Sequence, residues 1–292
     1  MKQDLKPQSR TVDIGDTEIQ YLEYPGGGPP LVLLHATGFL PWLWHPIARA
    51  LASEFSVLAP YFCDHRDASP EDGGLHWQQL AEDLRLFCQR LNLPTPLMAG
   101  HSMGGTVATL AAAADPGLTA GLVLIEPIFL PREFYRLQIE VAQHPLASKS
   151  IRRRNHWADA GEAKTYLRGK SLFADWDEEM LDLYVRYGMV GAEAGGLELA
   201  CHPRREASLF MGGVHLDPWP LLGRVACPVL VVEGENSGNR GHIDLKEAAA
   251  AFPAGRFMRV AGAGHLIPME RPRETARIIE AFYRGLAASG TV

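Results

Sequence analysis

The sequence predicts an α/β protein built on a mostly parallel central sheet, with helices on both faces and a helical segment inserted late in the chain. Three observations predict it. Short apolar runs alternate with amphipathic stretches from beginning to end, and the alternation breaks only once, from about residue 131 to 213. The composition, 47% apolar and 21% charged over 292 residues, suits a globular chain able to bury one large core without disulfides or metals.

Taken in order, residues 11–13 and 18–24 flank Gly15-Asp16 and read as an opening hairpin. Residues 31–34, Leu-Val-Leu-Leu, lie between a Gly-Pro turn (25–30) and Thr37-Gly38, as a central strand buried on both faces would. Similar runs recur at 57–61, 97–100, 122–125 and 229–232, with a shorter candidate at 257–260. Helical patterning occupies 44–53, 75–91, 103–114, 244–251 and 273–286. The block 131–213 has no strand-like run, and Arg, Glu, Trp, Tyr and Leu recur there at helical spacing. It reads as a helical cap over the carboxyl edge of the sheet, leaving 1–130 and 214–292 as the core domain.

Lys+Arg 28 against Asp+Glu 34 gives a formal net charge of −6, which argues against a nucleic-acid face. The local run Arg152-Arg153-Arg154 reads as a solvated helix face. Residues 1–12 carry Lys2, Asp4, Lys6 and Arg10 without an apolar stretch, unlike a signal peptide, and no apolar run approaches the ~18 residues of a membrane span. Cys63, Cys88, Cys201 and Cys227 are far apart and lack CxxC spacing, so they read as idle thiols in a reducing compartment. The expectation is a cytoplasmic protein, monomer or homodimer, acting on a small molecule without membrane or nucleic-acid partners and without metal or organic cofactor.

Gly100-His101-Ser102-Met103-Gly104 follows one strand candidate and opens a helical one, a context that places Ser102 on a sharp strand-to-helix turn. Glycine is needed at 100 and 104 because a Cβ there would meet neighbouring backbone. The helix that begins at the turn aims free N–H groups and its positive dipole end at the place where an oxyanion would form. His265, in Gly262-Ala263-Gly264-His265, stands on a Gly-rich loop able to reach a serine at a neighbouring strand end.

The strand, GHSMGG and helix resemble the α/β-hydrolase superfamily, and the likeness runs from the strand at Leu31 to the last helix, with the insertion at the superfamily's cap position. The resemblance implies Ser102 as nucleophile and His265 as base, in the superfamily's chain order. His35-Ala36-Thr37-Gly38-Phe39 resembles the superfamily's oxyanion loop with Ala36 in place of glycine, and by position the donors are the backbone N–H groups of Thr37 and Met103. The acid departs from the common pattern. After the strand at 229–232, where an aspartate is usual, stand Ser237 and Gly238. Glu126, ending the strand at 122–125, is the leading candidate, because some members carry the acid there and because a carboxylate at the end of an apolar strand needs a partner. Glu235 and Asp244 remain alternatives.

Superfamily members that form alkyl-enzyme esters, dehalogenases and epoxide hydrolases, resemble one another in using an aspartate at the elbow, so Ser102 implies acyl transfer. Hydrolysis of carboxylic esters of small apolar substrates is the expected activity. A thioesterase, a lactonase, a carbon–carbon bond hydrolase with the same triad, or a non-catalytic ligand-binding member are the alternatives. Phe39, Leu40 and Trp42, beside the oxyanion loop, are the expected substrate contacts. The cap aromatics, among them Trp157, Phe173, Trp176 and Tyr184, read mainly as packing.

Overall fold

The computed structural model describes residues 5–62, 64–288 and 290. In chain order the main elements are β1 (Gln8–Asp13), β2 (Glu18–Tyr24), β3 (Pro30–Leu34), α1 (His45–Leu51), β4 (Ser56–Pro60), α2 (Trp77–Arg90), β5 (Leu97–His101), α3 (Met103–Ala114) and β6 (Gly121–Ile125). They continue with α4 (Pro145–Ile151), α5 (Ala160–Arg168), α6 (Glu178–Tyr187), β7 (Met189–Gly191), β8 (Leu197–Leu199), α7 (Pro203–Gly212), α8 (Trp219–Leu222), β9 (Val229–Gly234), α9 (Leu245–Ala251), β10 (Gly255–Val260), α10 (Ile267–Glu270) and α11 (Pro272–Ala288).

Eight strands form one sheet in the order β1-β2-β4-β3-β5-β6-β9-β10. The β1/β2 and β2/β4 pairs are antiparallel and the other five are parallel. The continuous apolar runs follow from burial on both faces. Leu31, Leu33, Ala99, Val123 and Val232 feed one core with α1 and α11, while Val32, Leu34, Met98, Leu124 and Val231 feed the other with α2, α3 and α9. Because β3, β5, β6, β9 and β10 run parallel, their carboxyl ends share one edge. The chain steps from β3 outward to β4 and then crosses to β5 on the other side, which makes the β3/β5 crevice a topological switch point, where α/β sheets bind ligands.

Two expectations need correction. The 131–213 segment is not purely helical, since β7 and β8 pair antiparallel. Three-residue strands are too short to show a period, and the turn between them relies on Gly195 (φ +86°) and Gly196 (φ +78°). The first strand begins at Gln8 rather than residue 11, because its edge positions are exposed and carry no apolar signal. Backbone carbonyls on both sides help tie the inserted segment to the core. Trp77 Nε1–H donates to Leu209 O of α7 at 2.8 Å, and Asp177 N–H, at the start of α6, donates to Met269 O of α10 at 2.9 Å. Among the described residues, no helix is long and apolar enough to cross a membrane. Cys88, Cys201 and Cys227 are buried free thiols, and Cys63 lies outside the described residues.

Candidate active site

Ser102 stands at the N-cap of α3 with φ +53°, ψ −118°, a conformation that L-residues avoid and that costs on the order of 1–3 kcal/mol. Its surroundings hold it there. Ser102 N–H extends the β5/β6 ladder to Ile125 O at 2.9 Å, while Gly105 and Thr106 N–H already bond back to Ser102 O. The two flanking glycines have no alternative. A Cβ on Gly100 would lie 2.4 Å from Gly104 O, and one on Gly104 would lie 2.4 Å from Leu34 O and 2.7 Å from His35 O. The second clash also means that the elbow touches the backbone of the loop after β3.

That loop turns at residues 36–39, where Phe39 N–H donates to Ala36 O at 3.1 Å. The positive φ falls on Gly38 (+73°) and not on Ala36, so the alanine at the usual glycine place is unstrained. Thr37 N–H in this turn and Met103 N–H at the first position of α3 stand on the two sides of the β3/β5 crevice. The first N–H groups of a helix have no intrahelical acceptor, which leaves Met103 N–H available to a ligand. His35 staples the loop. Its Nε2 accepts from Phe62 N–H at 2.9 Å, so the proton sits on Nδ1, which donates to Ala36 O at 2.8 Å. Burial pushes its pKa down to about 4.

Glu126 follows β6 with φ +50° and is 1% exposed. Its carboxylate is held by neutral donors. Oε1 accepts from Gly234 N–H at 2.7 Å and Oε2 from Ser237 Oγ–H at 2.7 Å. His265, on the loop between β10 and α10, places Nδ1 2.9 Å from Glu126 Oε2 and Nε2 3.2 Å from Ser102 Oγ. With Glu126 ionised, Nδ1 carries the proton and donates, and Nε2 is free to accept from the serine hydroxyl. The other two candidate acids face elsewhere. Glu235 is exposed and accepts from Gly262 N–H at 2.9 Å, and Asp244 caps α9 through Lys246 and Glu247 N–H.

Three further residues support the site, and two of them, Ser237 and Asn239, escaped sequence reasoning. His101 Nε2–H donates to the His265 carbonyl at 2.9 Å, and burial, reinforced by the neighbouring His265, pushes the His101 pKa down to about 3. It is a neutral peg beneath the histidine loop. Ser237, visible in the sequence only as a missing acid, supports Glu126 instead. The Asn239 side-chain nitrogen Nδ2 lies 2.9 Å from His265 Nδ1.

The three expected substrate contacts pack beneath the inserted segment. Phe39 meets Trp176 and Tyr184 edge-on, Leu40 lies against Gly188, and Trp42 stacks on Tyr187 at 3.6 Å. Trp157, Phe173, Trp176 and Tyr184 are buried packing residues. The basic run follows α4 rather than lying on a helix face, and within it Arg153 pairs with Glu206 at 2.9 Å and Arg154 with Glu162.

The fold is that of a known class. Residues 31–278 match the alpha/beta hydrolase family, and the chain belongs to that family. It is similar to 2-(acetamidomethylene)succinate hydrolase of Mesorhizobium japonicum, 24% identical over 274 residues covering 94% of each chain. Fluoroacetate dehalogenase of a Burkholderia species is 25% identical, covering 94% of this chain and 93% of that one. Among solved structures, one of E-2-(acetamidomethylene)succinate hydrolase superposes with a TM-score of 0.81 at 22% identity, covering 95% of this chain and 99% of the other.

Proposed function

We propose that the protein is a serine hydrolase that cleaves carboxylic esters of small apolar substrates through an acyl-enzyme. Ser102 Oγ attacks the carbonyl carbon as His265 Nε2 takes its proton. Glu126 fixes the Nδ1–H tautomer and stabilises the imidazolium, and the N–H groups of Thr37 and Met103 hold the tetrahedral oxyanion. His265 then protonates the leaving alcohol. Water attacks the acyl-enzyme by the same relay, regenerating the Ser102 hydroxyl and releasing the acid. Phe39, Leu40 and Trp42 form the wall that the acyl group meets, beneath a cap spanning 131–213.

One observation carries this reading: Ser102, strained at the crest of its turn, lies 3.2 Å from an imidazole whose other nitrogen lies 2.9 Å from a buried carboxylate. Ester cleavage is preferred to dehalogenation despite the likeness to a fluoroacetate dehalogenase, because a serine at the elbow yields an acyl ester from a carbonyl substrate and does not serve alkyl-halide displacement as a carboxylate would. Steady-state hydrolysis of p-nitrophenyl acetate and butyrate tests the reading. Wild type should turn over and Ser102→Ala should lose at least about 10³-fold in kcat/KM. Equal rates for the two proteins would defeat it.

A further inference from the structure

The proposed acid stands after β6, yet the loop after β9 still reaches the site. Residues 234–239 touch the histidine–carboxylate pair at three points, and none of the three is charged. Gly234 N–H holds Glu126 Oε1, Ser237 Oγ–H holds Glu126 Oε2, and Asn239 Nδ2 meets His265 Nδ1 at 2.9 Å. Ser237 Oγ also accepts from Asn239 N–H at 3.3 Å, so the two side chains are set by one turn, residues 238–241.

Hydrogen-bond inventory decides what Asn239 does. Nδ1 has a single proton, and the ionised Glu126 only accepts, so that proton lies on Nδ1 and donates. As the side chain is placed, Nδ2 faces Nδ1 at 2.9 Å, which with the proton on Nδ1 opposes donor to donor. The amide oxygen turned toward it shares the proton with Glu126 Oε2. The two faces of an amide are assigned by the bonds they satisfy, and a half-turn about χ2 exchanges them. We propose that Asn239 is a positioning residue for His265, its Oδ1 sharing the Nδ1–H with Glu126, and that the loop after β9 is a neutral brace for an acid carried on the neighbouring strand. The inference rests on the serine-hydrolase reading for its kinetic consequence, but its geometric content does not.

The brace has a reason in charge. A second carboxylate at 239 would add a negative charge beside His265 and favour its protonated form over the neutral one that acts as base. An amide adds direction without charge, leaving Glu126 as the one anion beside the imidazole among the described residues.

Two variants and two readouts test this. Asn239→Ala should lower kcat roughly three- to tenfold with KM unchanged, since it removes one shared hydrogen bond. Asn239→Asp should raise the His265 pKa by about one unit, which moves the acid limb of the kcat/KM profile to higher pH by the same amount. In the Glu126→Gln background, Asn239→Asp should restore activity at least about tenfold, because the new carboxylate faces the same nitrogen. NMR titration of His265 in Ser102→Ala protein reads the pKa shift without any turnover, and thermal melting checks that each variant folds. No pKa shift and no rescue, in folded variants of a protein that needs Ser102, would overturn the brace alone. A shifted pKa in a protein whose activity ignores Ser102→Ala would leave the brace standing and overturn the catalytic reading.

Discussion

Two histidine–carboxylate pairs lie among the described residues, and the contrast between them separates a structural pair from the proposed catalytic one. Asp83, fully buried on α2, bonds His65 Nε2 at 2.8 Å and takes a two-pronged grip from Arg66, with Nε at 2.7 Å and a terminal NH₂ at 2.7 Å. Burial pushes the Asp83 pKa up, but the bonds from His65 and Arg66 overcome it and hold the group below the usual carboxylate range. Its negative charge is matched by a permanent cation, and Arg66 is in turn matched by Asp16. Glu126 is as deeply buried but is paired with no lysine or arginine among the described residues; its partners are a backbone N–H, a hydroxyl and an imidazole. Its charge therefore remains available to an imidazolium, which is what His265 would become in the proposed reaction on accepting a proton from Ser102. His65 has no such outlet, since its Nδ1 is buried without a partner. Burial and a histidine neighbour are common to both pairs. The absence of a fixed countercharge and the presence of a hydroxyl at the far nitrogen distinguish the second.

Breaking the pairs in turn should separate them. Glu126→Gln should lower kcat by roughly 10³–10⁴-fold on a chromogenic ester while the melting temperature changes little, since an amide can still accept one bond and fill the space. Asp83→Asn should do the opposite. It leaves Arg66 under-compensated and should cost roughly 3–5 kcal/mol in denaturant unfolding, with kcat retained. Buried neutral histidines give a third contrast. His35 and His101 have pKa values pushed to about 4 and about 3, below the ~6.5 of an unfolded chain. The unfolded state therefore binds more protons below pH 6.5, and stability present at neutral pH is lost as pH falls toward these values. The loss should be up to about 1.4 kcal/mol per histidine for each pH unit, seen as a falling melting temperature between pH 6.5 and 4.5. Ser237→Ala should reduce kcat only about tenfold, because one of several donors to Glu126 is lost. Glu235→Gln, exposed and facing Gly262, should be silent in both assays.

Much of this was legible in the sequence because the central strands are buried on both faces and short, so the runs at 31–34, 97–100, 122–125 and 229–232 stand out by composition alone. The elbow was legible because backbone contact at Gly100 and Gly104 leaves a residue-level mark. Glu126 could be singled out as an expensive group at the end of an apolar strand, whereas its companions could not. Ser237 and Asn239 are ordinary polar loop residues until the β9/β10 edge brings them over Glu126 and His265, and nothing in their spacing encodes that encounter. The partner of His101 is equally hidden, being a main-chain oxygen 164 positions away. The β7/β8 hairpin was missed for a simpler reason, three residues being less than two periods of a strand.

The central claim is that the Ser102 hydroxyl becomes covalently acylated with help from His265. Intact-protein mass spectrometry after rapid quenching of the enzyme with p-nitrophenyl butyrate, followed by peptide mapping, examines it directly. The account predicts one butyryl adduct on Ser102 that disappears in Ser102→Ala and falls sharply in His265→Ala. Product formation at the wild-type rate in Ser102→Ala, or an adduct mapped to any other side chain, would contradict it.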